Sequence, residues 1–300
     1  MALNPLIILM VGPPGSGKST GAQEYLEAHG NRDDLVRVSQ DDQGKQGHMG
    51  VFEEALAARK DILVDRMGFD KNQRNRYLDP AKKAGYDTRI VVLHVPMETC
   101  LERCKSRANH PTIKTDEDAE NAVTFFFRKY ERVESEEADE VIRTGWVGAD
   151  AVKCVVSDLD GTLANVDHRR HYVRREKPLK PNWVMFFEKM IDDPVNEWCR
   201  ILLESMKETY PIVYATGRPG DYKEHTELWL QENRLRYPGS SLFTRLAKDH
   251  RKDDVVKEII LEFEIKTRYD ILFVVDDRQQ VVDMWRKHGY IVLQCAKGDF

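Results

Sequence analysis

An apolar hexapeptide, Leu6–Val11, runs straight into GPPGSGKST at residues 12–20, ahead of a polar stretch of helical length. This junction constrains the fold more than any other feature of the chain. The loop fits G-x-x-x-x-G-K-S, which works only between a strand and a helix of a parallel sheet. Gly12, Gly15 and Gly17 let the backbone curl, so that N–H groups along the loop, with Ser16 and Thr20, point at phosphate oxygens. The following helix adds its positive N-terminal end. Lys18 is placed to reach β/γ-phosphates, and the Ser19 hydroxyl to join the shell of a Mg²⁺ ion. These residues predict binding of ATP or another nucleoside triphosphate and say little about the acceptor.

The strand–helix alternation continues with apolar runs at Leu35–Ser39, Ile62–Asp65 and Arg89–Val95. Thr115–Glu140 reads as a charged helix with one aromatic face, Phe125, Phe126, Phe127 and Tyr130. At TGWVGAD, residues 144–150, two glycines break the pattern, and it restarts with strands at Val152–Ser157, Ile212–Ala215, Ile271–Val275 and Ile291–Cys295. Ala164–Tyr210 is a long insert with helical stretches. With 300 residues and roughly 150 per domain, the expectation is two α/β domains, 1–148 and 149–300.

Lys+Arg number 46 against 51 Asp+Glu, a formal charge of -5. That excludes a generally basic nucleic-acid coat but leaves room for a local basic groove. Mean hydropathy is -0.58, and no apolar run approaches the ~20 residues of a membrane helix. The expectation is a soluble, cytoplasmic protein with no membrane contact. Five cysteines, at 100, 104, 154, 199 and 295, lack the spacing of a zinc site or disulfide framework and read as buried thiols.

A phosphoryl acceptor needs a base. Asp41 and Asp42 follow the second strand, at the sheet edge where α/β folds place their sites. An Asp there takes a proton from an attacking hydroxyl or caps a helix, and the residues alone leave both readings open. Asp65, ending the third strand, is a similar candidate. Arg103 and Arg107 are four apart, one helical face, and supply cations over a transferring phosphoryl group or simply a solvated basic face.

A second constellation begins at DLDGT, 158–162, again directly after a strand. Here Asp158 can attack phosphorus, while Asp160, two residues on, protonates the leaving oxygen and then activates water. Further along come YATGR with Thr216 and Arg218, RKDDVVK with two candidate lysines, Lys252 and Lys257, and ILFVVDD with Asp276 and Asp277. Taken in order, these four motifs resemble the haloacid-dehalogenase-like phosphohydrolases. The run DHRRHYVRREK, 167–177, is strongly basic and reads as a solvated face or a groove for a polyanion.

The combination of both constellations resembles the polynucleotide 5′-kinase/3′-phosphatases of T-even bacteriophages, most closely at RKDDVVKE (251–258), VVDDRQQVVDMWR (274–286) and the terminal GDF. It implies a P-loop NTPase-like kinase domain followed by a haloacid-dehalogenase-like Rossmannoid phosphatase domain. By the same resemblance, Asp41 is general base, Asp65 touches the acceptor, and Arg103 and Arg107 belong to a lid. Asp158 is nucleophile and Asp160 acid/base, with Thr216, Arg218, Asp276 and Asp277 completing the site. Lys257 is selected over Lys252, Arg169, Arg245 and Asp253 face the substrate, and Asp158, Asp277 and the Asp160 carbonyl hold Mg²⁺. The family has an Arg at the position of Gly44 and an uncharged residue at that of Arg66. The resemblance implies RNA or DNA ends as substrate, hand-off to a nucleic-acid ligase, and a homo-oligomer. A small-molecule kinase fused to such a phosphatase, and a nucleotide-dependent scaffold, are the competing readings.

Overall fold

A computed structural model describes residues 4–28, 35–107, 113–173 and 180–298. The chain divides into two compact units, Met1–Trp146 and Val147–Phe300, two residues before the expected boundary.

The first unit runs β1 (Leu6–Val11), α1 (Lys18–Ala28), β2 (Leu35–Ser39), α2 (Gln40–Ala57), β3 (Asp61–Asp65), α3 (Lys71–Lys83), β4 (Asp87–Leu93), α4 (Met97–Lys105), α5 (Asp116–Lys129) and β5 (Glu140–Thr144). All its strands are parallel, in the order β2-β3-β1-β4-β5. Ile7 to Val11 are buried, as expected of a central strand covered by helices on both faces. The order reverses at β1, so the loop after it opens at the switch point of the sheet.

The expected helix 115–140 ends early. Thr115 caps α5 through a reciprocal bond with Asp118, and after Lys129 the chain leaves the helix to form β5, a strand the charge-rich sequence had hidden. Phe126, Phe127 and Tyr130 are buried, and Phe125 packs edge-on against Phe69 at 5.1 Å. The aromatic face is core at Phe126, Phe127 and Tyr130 and exposed at Phe125. Cys100 and Cys104 are buried free thiols.

The second unit runs β6 (Lys153–Ser157), α6 (Trp183–Glu188), α7 (Glu197–Met206), β7 (Ile212–Pro219), α8 (Lys223–Glu232), β8 (Ser241–Arg245), α9 (Asp253–Ile260), β9 (Asp270–Asp276), α10 (Gln279–Lys287) and β10 (Val292–Gln294). Its parallel order is β10-β9-β6-β7-β8. The strand β8, half-polar and short, was not anticipated. Its register with β7 breaks between Thr216 and Pro219; such an irregularity re-aims the side chains within it, here Gly217 and Arg218. The helix α6 and the helix α7 come from the long insert after β6. Among the described residues no helix is long and apolar enough to cross a membrane.

Candidate active sites

In the first unit, the loop from Gly12 closes on itself. Lys18 Nζ donates to the Pro13 carbonyl at 2.7 Å, and the side chain is buried. Burial pulls its pKa down to about 8, against the opposing charge of Asp65. Gly15 has φ of 81°, and a Cβ there would lie 2.4 Å from the Cys100 carbonyl. Only glycine therefore lets the loop rest on α4. The Ser16 hydroxyl is buried with no hydrogen-bond partner in the protein, an orphan that a phosphate oxygen would satisfy. Ser19 and Thr20 stay exposed at the start of α1.

The structure gives the cap of α2 to a residue other than Asp41. Ser39 caps α2, its hydroxyl accepting from the Asp42 amide at 3.4 Å. Asp42 pairs with Arg37 at 3.3 Å. Asp41 is exposed, shows no hydrogen bond or ion pair among the described residues, and is not the cap. Asp65 is buried and held by Arg37 at 2.5 Å. That ion pair, with Arg37 bridging two carboxylates, has no sequence signal. Arg103 Nη1 donates to the Gly15 carbonyl at 3.4 Å. The helix α4 stops at Lys105, so Arg107 lies beyond it, contrary to the expected helical pair, yet its charge still acts on Lys18.

Gly44 kinks α2 with φ of 76° and ψ of 172°, a conformation in which the family's Arg would be strained. Arg66 comes from the end of β3 instead, donating to Gln40 and approaching His48 Nε2 at 3.4 Å, while His48 Nδ1 contacts the Gly44 carbonyl at 2.9 Å.

In the second unit, β9 pairs beside β6 with Ser157 opposite Val275, and β7 flanks the other side with Ser157 opposite Tyr214. Three strand ends thus converge, bringing Asp158, Thr216, Asp276 and Asp277 together. Lys257, on α9, reaches in with Nζ 2.6 Å from Asp158 and 3.0 Å from Asp276. Burial opposes its charge, but Asp158, Asp276 and Asp253 outweigh that and hold the ammonium above the ordinary lysine range. Lys252 stands at the N-terminal boundary of α9, makes no side-chain cap bond, and is exposed.

Oxygen atoms of Asp158, Asp276 and Asp277 lie within 4.8 Å of one another. One ammonium does not balance three buried carboxylates. Burial, with Asp276 and Asp277 adding to it against the pull of Lys257, pushes Asp158 well above the usual range. Burial and Asp276 push Asp277 up to about 6. Asp276 is taken up by Lys257, the Trp285 indole at 3.3 Å and the Arg278 amide at 3.3 Å. Asp277 Oδ2 is buried without a partner. This oxygen and the uncompensated charge fit a divalent cation held by oxygen ligands.

Asp160 sits in an arginine clamp. Arg169 Nη2 is 2.7 Å and Arg218 Nη2 2.5 Å from its Oδ1. Although burial opposes ionisation, the two guanidiniums hold this carboxyl well below the usual range. Asp193 completes the clamp, 2.6 Å from Arg169 and 3.0 Å from Arg218, fully shielded from water. The sequence reading missed Asp193. It lies in the helical insert, where an acid before proline carries no motif. The basic run needs correction too: Arg169, read as facing substrate, is fully buried, and its charge is matched by Asp160 and Asp193. Residues 174–177 of that run, like the last two of GDF, lie outside the described residues.

Thr216 is buried and accepts from the Arg218 amide at 3.2 Å. Arg245 and Asp253 pair at 3.2 Å, and Arg278 reaches Asp253 at 3.5 Å. Asp158, Asp160, Thr216, Arg245, Asp253, Lys257 and Asp277 all line one cavity of about 680 Å³.

Residues 152–300 match the family model of the polynucleotide kinase PNKP phosphatase domain, and residues 7–128 that of an AAA domain. A protein of Autographa californica nuclear polyhedrosis virus, by name a bifunctional polynucleotide kinase/RNA ligase, is 26% identical over 93% of this chain and 41% of its own length. A protein of Acanthamoeba polyphaga mimivirus, by name a bifunctional polynucleotide phosphatase/kinase, is 32% identical over 31% of this chain and 21% of its own. The chain thus spans less than half the length of these curated relatives. A chain in the solved structure of the Pnkp1/Rnl/Hen1 RNA repair complex aligns over 100% of this chain and 98% of its own, at 26% identity and a TM-score of 0.44. Domains of the two matched kinds work with a nucleotide phosphate donor and a divalent metal. Residues 7–128 are thus similar to an AAA domain, and residues 152–300 to the phosphatase domain of polynucleotide kinase PNKP.

Proposed function

We propose that the chain heals nucleic-acid ends, phosphorylating 5′-hydroxyls with a nucleoside triphosphate and removing 3′-phosphates. What carries the proposal is the cluster of Asp158, Lys257, Asp276 and Asp277 at converging strand ends, inside a segment that matches a polynucleotide phosphatase domain.

In the kinase step the 5′ oxygen attacks the γ-phosphorus, its proton passes to Asp41, and the bond to the β,γ-bridging oxygen breaks. Lys18 offsets charge on the departing diphosphate, with Arg103 and Arg107 over the transferring group. Ser19 would hold a nucleotide-bound Mg²⁺. In the phosphatase, an Asp158 oxygen bonds to phosphorus and the P–O3′ bond breaks, the 3′ oxygen taking a proton from Asp160. Water then attacks the aspartyl-phosphate, its proton goes to Asp160, and Asp158 is released. The arginine clamp favours the ionised Asp160 that this second step needs and opposes the protonated form that the first step needs; the charge of a phosphate bound beside the carboxyl would draw that proton back. Thr216 and Lys257 face the phosphoryl oxygens, and Lys257 keeps Asp158 oriented. Asp158, Asp277 and the Asp160 carbonyl would hold Mg²⁺, which lowers the repulsion between Asp158 and the phosphate. A 2′,3′-cyclic phosphate would be attacked by the same nucleophile. The products, a 5′-phosphate and a 3′-hydroxyl, are what a ligase joins, and one similar protein carries both kinase and RNA ligase in its name. Assembly as a homo-oligomer is part of the same proposal.

The test is an oligonucleotide with a 5′-hydroxyl and a 3′-phosphate, incubated with ATP and Mg²⁺ and followed at both ends by mass spectrometry. Gain of phosphate at one end and loss at the other is expected. Turnover of sugar phosphates with both oligonucleotide ends unchanged would favour the small-molecule reading instead.

Because free Lys18 titrates near 8, nucleotide phosphates should raise its pKa on binding. At about pH 9, binding should then take up close to one proton per site. Calorimetry in buffers of different ionisation enthalpy reads this directly. Lys18→Ala should remove the uptake, and an unchanged proton count in that variant would assign it elsewhere.

A further inference from the structure

We propose that the cavity lined by Asp158 contains a base-stacking subsite, an aromatic cluster that shares its lining with an exposed lysine, and that it binds the end of a single nucleic-acid strand. The proposal rests on reading the second unit as a nucleic-acid 3′-phosphatase.

The cavity of about 680 Å³ is far larger than a phosphoryl group requires and falls within the range that encloses a nucleotide-sized ligand. Asp158 and Asp160 line it, and so do Trp183, Phe187 and Tyr222. A continuous chain of contacts leads from Asp160 to these rings. Arg169, bonded to Asp160, lies 4.0 Å over the Phe186 ring. Trp183 is 5.7 Å from Phe186 and stacks on Phe187 at 6.0 Å, with 24° between the planes. Phe187 in turn is 5.4 Å from Tyr222. Trp183 and Phe187 are four residues apart on α6 and share a face.

Trp183 is 47% exposed, much as Trp198 is at 46%, but Trp183 lines the cavity and Trp198 does not. An indole left half in water beside a reactive carboxylate is a surface that gains from being covered. The same lining includes Lys248 and His250, both exposed. Aromatic faces take bases of any sequence, and cations take the backbone phosphates between them. A sugar phosphate would use the reactive carboxylates alone and leave the aromatic cluster bare. A nucleobase, flat and joined to a phosphate, suits both.

The test compares the full chain with Trp183→Ala and Trp183→Phe on two oligonucleotides ending in a 3′-phosphate, one with its terminal bases and one abasic at the last two nucleotides. The wild type should prefer the base-bearing strand by about tenfold or more in kcat/KM. Trp183→Ala should bring that ratio close to one through a higher KM, and Trp183→Phe should restore much of it. An unchanged ratio in Trp183→Ala, or equal losses on both strands, would overturn the subsite while leaving the phosphatase reading in place. No hydrolysis of either strand by the wild type, with p-nitrophenyl phosphate still cleaved, would overturn the phosphatase reading and the subsite together.

Discussion

Asp158→Asn should erase hydrolysis of every phosphate ester by the second unit, a loss of at least about a thousandfold, while 5′-phosphorylation continues. Asparagine keeps the shape of the side chain but cannot form the aspartyl-phosphate. The fold should survive, because Lys257 retains Asp276 at 3.0 Å and one carboxylate leaves an over-charged cluster; a thermal melt checks this. Asp160→Asn separates the roles. Loss of its proton matters most when the leaving oxygen is basic, as in ribose, and least for p-nitrophenolate. The ratio of activity on p-nitrophenyl phosphate to that on a 3′-phosphate oligonucleotide should therefore rise in Asp160→Asn. Full activity of Asp158→Asn on either substrate would remove it as nucleophile.

Asp41→Ala should lower 5′-phosphorylation by about a hundredfold or more with ATP binding and 3′-dephosphorylation retained. The prediction is sharp because the cap of α2 is Ser39, and Arg37 binds Asp42 and Asp65 but not Asp41. An exposed carboxylate in the first turn contributes at most about 1 kcal/mol through the helix dipole. A large loss of activity with little change in melting temperature would thus report chemistry. Normal turnover in the variant would return the base role to another group, with Asp65 the nearest candidate. Together with the Asp158 variant, this result would show that each unit carries its own complete machinery.

The parts of this protein legible in its sequence are those where one short segment holds the whole message. The strand Leu6–Val11 with its glycine loop, and the strand before Asp158, each couple an apolar run buried on both faces to a turn whose residue types follow from phosphate geometry. Periodicity failed where it was weak. Glu140–Thr144 and Ser241–Arg245 are half-exposed strands, and the helix before the first ended eleven residues sooner than its charge pattern suggested. A helical spacing of four placed Arg103 and Arg107 together, but the helix stops between them.

The sequence by itself determined which chemical groups stand at strand ends, since a strand followed by a turn exposes whatever residues begin that turn. Only the tertiary structure decided which of those ends are neighbours. Asp158 meets Asp276 and Asp277 because β9 pairs beside β6, more than a hundred residues apart in the chain, and no local pattern encodes that pairing. The same long-range packing turned Arg169 inward to Asp160 and Asp193, gave Asp193 a place in the clamp, and set the aromatic face of α6 against the cavity. A buried charge is stable only where a partner is brought to it, and that partner is chosen by the fold.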